Sequence, residues 1–306
     1  MSFLARVIWK ILTFPLTRII IAIIAIALVY VPEVILAERI REKYELADDV
    51  GFRVVSGAIN IVSICLVYVG YVRLFERRKA VELSRNGALL EFAAGSALGV
   101  SLFAATIACL WLGGYYRVEG VGHLPSAAML MSMGLLPGFL EEIVIRGVVF
   151  RITEESLGTW LAMMISALLF GFLHIMNPEA TLFAAVCIAV EAGILLAAAF
   201  VTTRRLWFPI GLHFAWNFTQ GGIFGVAVSG MPVRGLLKST LTGPELLSGG
   251  EFGAEASIFA VVICTSIAIV LLVLAVRQGR IIRPFWFRGK SKPITTKPGE
   301  IGPELE

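Results

Sequence analysis

Gly138-Phe139-Leu140-Glu141-Glu142-Ile143-Val144-Ile145-Arg146-Gly147 sets two adjacent carboxylates and an arginine inside the apolar run 127–150. The neighbouring runs are as apolar, which places these charges within a membrane, where ionisable groups are costly and functional. The chain of 306 residues is 58% hydrophobic and 16% charged, with a mean hydropathy of +0.86. Soluble domains are about half apolar and about a quarter charged. A membrane strand needs only roughly 10 alternating residues. The runs here are near twice that length and do not alternate, so the fold class is all-α, a polytopic transmembrane helical bundle.

Working outward from this stretch, eight spans are expected: Ile19 to Leu36, Val54 to Val72, Phe92 to Gly114, Ala127 to Phe150, Gly158 to Met176, Ala180 to Val201, Leu206 to Val228 and Ile258 to Val276. Residues 1–18 read as an amphipathic segment on the bilayer, with Phe3, Leu4, Val7, Ile8 and Ile11 at helical spacing around Arg6 and Lys10. Residues 19–276 form the transmembrane domain, and 277–306 read as a basic, disordered tail. The Gly- and Pro-rich connection from Ser229 to Glu255 reads as a linker, with the cover of a cavity mouth as the alternative.

Loop charge sets the orientation. Arg6, Lys10 and Arg18 precede the first span. Arg73, Arg77, Arg78, Lys79 and Arg85 follow the second, Arg204 and Arg205 the sixth, and a run from Arg277 to Lys297 the eighth. With eight spans these all share one side, which the positive-inside rule makes cytoplasmic, together with both termini. The expected location is a bacterial cytoplasmic (inner) membrane. Basic residues gather by loop rather than on one face, so no nucleic-acid partner is expected. Cys65, Cys109, Cys187 and Cys264 stand singly in apolar runs and read as small buried side chains.

On a helix Glu142 and Arg146 are four apart with the glutamate first, the favourable order for an ion pair. Glu141 is turned about 100° away, free of the arginine and placed to act as a general base. Pro137 should kink the helix beside the pair. Of three histidines, His123 falls in a polar loop and reads as incidental, whereas His174 and His213 fall within spans. Phe170 is four residues before His174 and can pack under its ring. His213 and Asn217 share a face and can both donate to a developing oxyanion. Glu141 with His174 would activate a water, and His213 with Asn217 would stabilise the tetrahedral intermediate. The same Glu141, His174 and His213 could instead ligate Zn2+, although the compact H-E-x-x-H pattern is missing. Glu191, the other charge inside a span, either lines the cavity or bonds a neighbouring helix.

These motifs, EExxxR at Glu141 to Arg146, FxxxH at Phe170 to His174 and HxxxN at His213 to Asn217, resemble the CAAX protease and bacteriocin-processing (CPBP) family of intramembrane proteases. The resemblance covers about 127–230. It implies a helical core with a cavity reaching the cytoplasmic side, Glu141 and His174 as catalytic residues, His213 and Asn217 as the oxyanion pair, and Glu142 and Arg146 in support. It implies an endopeptidase acting on a protein or peptide, lipid-modified in some members. Both glutamate-type and zinc-dependent mechanisms have been described for the family, and the metal-free one is favoured here. Two rival readings are a non-catalytic membrane binding or immunity protein on the same fold and a proton-relaying transporter. Complete motifs disfavour the first, and the lack of an inverted repeat disfavours the second.

Overall fold

The computed structural model describes residues 3–46 and 49–288. A short helix α1 (Phe3–Thr13) bends at Phe14 into α2 (Pro15–Lys43), with Pro15 in the first turn, where its missing N–H costs nothing. Helices α3 (Val50–Phe75) and α4 (Ala88–Leu112) follow. The strand β1 (Tyr116–Val121) comes next. The helical stretch Ala127–Met176 is broken at Gly158 into α5 (127–157) and α6 (159–176). Then come α7 (Leu182–Thr203), α8 (207–223), the strand β2 (Leu237–Leu241) and α9 (Ile258–Arg277).

Among the described residues, six continuous helices are long and apolar enough to cross a membrane. All eight expected spans are helical, but three differ from a plain crossing. The fourth and fifth run into one another at Gly158. There φ is +78° and the backbone of Ile282 and Pro284 presses close, so only glycine serves without strain. The seventh ends at Ile223 rather than Val228, because Val228 leaves the helix to bridge Met231. Large apolar side chains such as Leu28, Leu66 and Trp111 remain exposed around the helices, as a lipid-facing surface requires.

The buried core lies where α8 wedges between α4 and α5. A Cβ on Gly95 of α4 would stand 2.1 Å from the Phe208 carbonyl, and one on Gly211 of α8 2.2 Å from the Phe92 carbonyl. The two backbones therefore meet at glycine, as small residues permit in membrane bundles. This contact fixes the height of His213 and Asn217.

The two ends of the bundle are built differently. At the end where α2 begins, Arg18 and Arg151 share Glu76, Arg78 pairs with Glu82, and Arg204 pairs with Glu154. Residues 278–288 belong to this end. Thr159 Oγ1 accepts from the Ile282 N–H, and Arg288 donates to the Glu154 carbonyl. The first part of the expected disordered tail is thus packed in place, and 289–306 lie outside the described residues.

At the other end, β1 and β2 form an antiparallel pair with Tyr116 opposite Leu241 and an irregularity at Glu119. The Ser229–Glu255 connection supplies one strand of this pair, a helical turn at Glu245–Ser248 and a strap against Asn177. It is an ordered cover rather than a linker.

Candidate active site

The α5 helix is wound loosely where it carries the acidic pair. Leu130–Leu135 and Glu142–Phe150 are π-helical, with an α-helical turn at Leu136–Glu141 between them. The expected kink at Pro137 is absorbed by the wide turn before it: backbone angles stay helical at Leu135 and Leu136. Another π turn in α7, Ala189–Gly193, frees the carbonyls of Ala192 and Gly193, which accept from Arg146 Nη2 at 3.3 and 3.1 Å.

Arg146 is fully buried. Its Nη1 donates to Glu142 Oε1 at 2.9 Å, as the four-residue spacing predicts. Its guanidinium also lies 4.5 Å from the centroid of the Phe170 ring. That ring stands 4.8 Å from the imidazole of His174 and 6.1 Å from that of His213. Phe170 is therefore the common wall between the arginine and both histidines, which the motif spacing shows only for His174.

His213 sits between the carboxylates. Its Nδ1 is 3.0 Å from Glu142 Oε1, and its Nε2 is 3.9 Å from Glu141 Oε2. The sequence pairs Glu141 with His174 and leaves Glu142 to the arginine. In the structure Glu142 serves Arg146 and His213 together, and the imidazole nearest Glu141 is His213. The reason is register: α8 is drawn in by its glycine contact with α4, and Gly138 on α5 leaves a Cβ-sized space 3.3 Å from the Ile210 carbonyl. Glu141 keeps a third of its side chain exposed, and its Oε2 has no hydrogen-bond partner.

His174 ends α6. Its Nδ1 donates to the Phe170 carbonyl at 2.8 Å, which leaves Nε2 free to meet another partner. Asn217 donates through Nδ2 to the Met133 carbonyl at 3.2 Å and retains a second N–H.

Glu141, His174, His213 and Asn217 all line one chamber of about 580 Å³. The turn at Gly158 folds α6 back along α5 and brings Glu141 and His174 to one cavity. An apolar groove of about 350 Å³ between α2, α5 and α6 meets the chamber at Glu141, His174 and Asn177. Behind the chamber, a water-sized cavity of about 30 Å³ touches His174, His213, Asn217, Glu191 and Glu255. Glu191 thus faces the interior, and Glu255 faces it from the cover.

The chamber does not open where the resemblance leads one to expect. Its rim is Arg53, Ser126 and the strap from Val228 to Arg234, all at the end opposite the basic loops. Among the described residues no three His, Cys, Asp or Glu side chains come together as a metal-holding group. Glu141, His174 and His213 line the same chamber.

Sequence reasoning missed Glu255 and Asn177, and placed the cover second to a plain linker for the strap. Glu255 is buried and accepts from the Ser229 N–H, while Asn177 Nδ2 donates to the Ser229 carbonyl at 3.0 Å. A glutamate in a glycine-rich loop normally faces water, so no signal in the sequence singles it out.

Comparison with known proteins agrees with the motif reading. Residues 123–219 match the family described as type II CAAX prenyl endopeptidase Rce1-like, and the match contains all three motifs. The chain is also 29% identical over 124 residues to the Bacillus subtilis (strain 168) protein named "Putative membrane peptidase YdiL". That alignment covers 40% of this chain and 46% of the relative, so the chain spans about half the length of the curated relative it matches. No solved structure matches.

Proposed function

We propose that this integral membrane protein is an intramembrane endopeptidase of the CAAX-protease type, with Glu141 as general base and no metal. The observation that carries the reading is the convergence of Glu141, His174, His213 and Asn217, from three helices, on one chamber whose carboxylate has a free oxygen.

A water in the chamber would donate one hydrogen bond to Glu141 and a second to Nε2 of His174. Glu141 takes the proton as the water oxygen bonds to the substrate carbonyl carbon. The carbonyl oxygen becomes an oxyanion, met by the free N–H of Asn217 and by Nε2–H of a doubly protonated His213. Glu142 accepts from Nδ1 of that imidazole, and Arg146 holds Glu142 in place. Glu141 then returns its proton to the amide nitrogen, the C–N bond breaks, and a carboxylic acid and an amine leave. The apolar groove beside Glu141 suits an apolar segment or a lipid chain of the substrate.

The test is reconstitution in liposomes with membrane-protein fragments, followed by mass spectrometry of new N-termini. Termini formed by the wild type and not by Glu141→Gln support the reading. The same termini at equal yield from both proteins would overturn it.

A further inference from the structure

The ends of the bundle differ in charge as well as in closure. The end with Arg73, Arg77, Lys79, Arg85, Arg277 and Arg283 carries a strong basic excess. It is sealed by the pairs Arg18 and Arg151 with Glu76, Arg78 with Glu82, and Arg204 with Glu154. The opposite end is nearly balanced: Arg39, Arg41, Lys43 and Lys238 stand among Glu38, Glu42, Glu119, Glu179 and Glu245. The chamber's lining reaches this balanced end, with Met231 and Arg234 on its rim.

Basic loops are retained on the cytoplasmic side of a membrane. We infer that the chamber faces away from the cytoplasm, and that its substrates are membrane-anchored polypeptides cut on the extracytoplasmic side. The orientation follows from loop charge joined to the chamber walls. The substrate class rests in addition on the protease reading above.

The experiment labels single cysteines in intact cells with a membrane-impermeant maleimide. Met231→Cys and Arg234→Cys stand at the chamber rim, while Lys79→Cys and Arg85→Cys stand at the basic end; all four positions are exposed. The wild type serves as blank, since its four cysteines lie within helices. The expected result is labelling of the rim pair in intact cells and of the basic-end pair only after permeabilisation. The reverse pattern would overturn the orientation whether or not the protein cleaves anything. For the substrate class, spheroplasts co-expressing the protein with an anchored reporter should release its outward-facing tag. With the orientation established and the reconstituted enzyme active, release of only the cytoplasmic tag would overturn that part alone.

Discussion

His213 stands between two consecutive glutamates, its Nδ1 3.0 Å from Glu142 Oε1 and its Nε2 3.9 Å from Glu141 Oε2. One carboxylate orients the ring while the other faces the chamber. Because Glu142 also receives Arg146 at 2.9 Å, the arginine, the glutamate and the imidazole form one buried relay that ends at the reacting space.

Glu142→Gln breaks this relay at its centre. The amide can still meet one partner but cannot offer charge to both. Activity should fall by about 10²-fold or more, the scale of a misplaced acid–base group, with kcat reduced more than KM. Equal kcat for variant and wild type would deny Glu142 an orienting role.

Arg146→Met removes the donor to Glu142 and to the carbonyls of Ala192 and Gly193, and the cation over Phe170. Breaking one side of a buried pair costs about 3–5 kcal/mol. Thermal unfolding in detergent should drop accordingly. An unchanged midpoint would show that the arginine is not part of the structural frame.

Gly211→Ala drives a Cβ into the Phe92 carbonyl, backbone that cannot step aside. Overpacking of this kind costs about 1–3 kcal/mol, and the shift carries His213 with it. Gly70→Ala, where a Cβ meets nothing within 4 Å, is the control. Removing a helical glycine there should stabilise by roughly 0.5–1 kcal/mol. Similar unfolding midpoints for the two variants would contradict the packing account.

The helical bundle and the residues that share the chamber were legible in the sequence because apolar run length and four-residue spacing are local properties. Glu142 with Arg146 and Phe170 with His174 are each contacts within one helix. The partnership of His213 with Glu142 is not, since it depends on how far α8 slides against α4 and α5. The same holds for the strap. Only the folded chain reveals that Asn177 and Glu255 grip Ser229 from two sides, or that β2 finds β1 across more than a hundred residues.

Glu255 lies in the cover, outside the spans. Burial pushes its carboxyl up to about 7, with Ser229, Gln220 and Trp216 partly offsetting that cost by donating to it. The folded value lies above the ordinary 4.5. The buried acid therefore favours folding most when neutral, and stability should decline as pH rises from 4.5 to about 7 and level off above that. Unfolding midpoints measured across that range should fall for the wild type and fall less for Glu255→Gln. Parallel curves would remove Glu255 as the cause.

Chelation separates the two mechanisms considered for these residues. With no metal-holding group among the described residues, cleavage should persist in excess chelator. Loss of cleavage, restored by Zn2+, would replace Glu141 as base with Glu141 as ligand.

The account turns on Glu141 as the group that takes the proton from water. The most direct measurement is the cleavage rate of one identified membrane substrate by purified wild-type protein and by Glu141→Gln, matched for unfolding midpoint. The prediction is a loss of about 10²–10⁴-fold in kcat, the contribution of a positioned general base, with substrate still bound. A Glu141→Gln enzyme that is correctly folded and cleaves at the wild-type rate would contradict it.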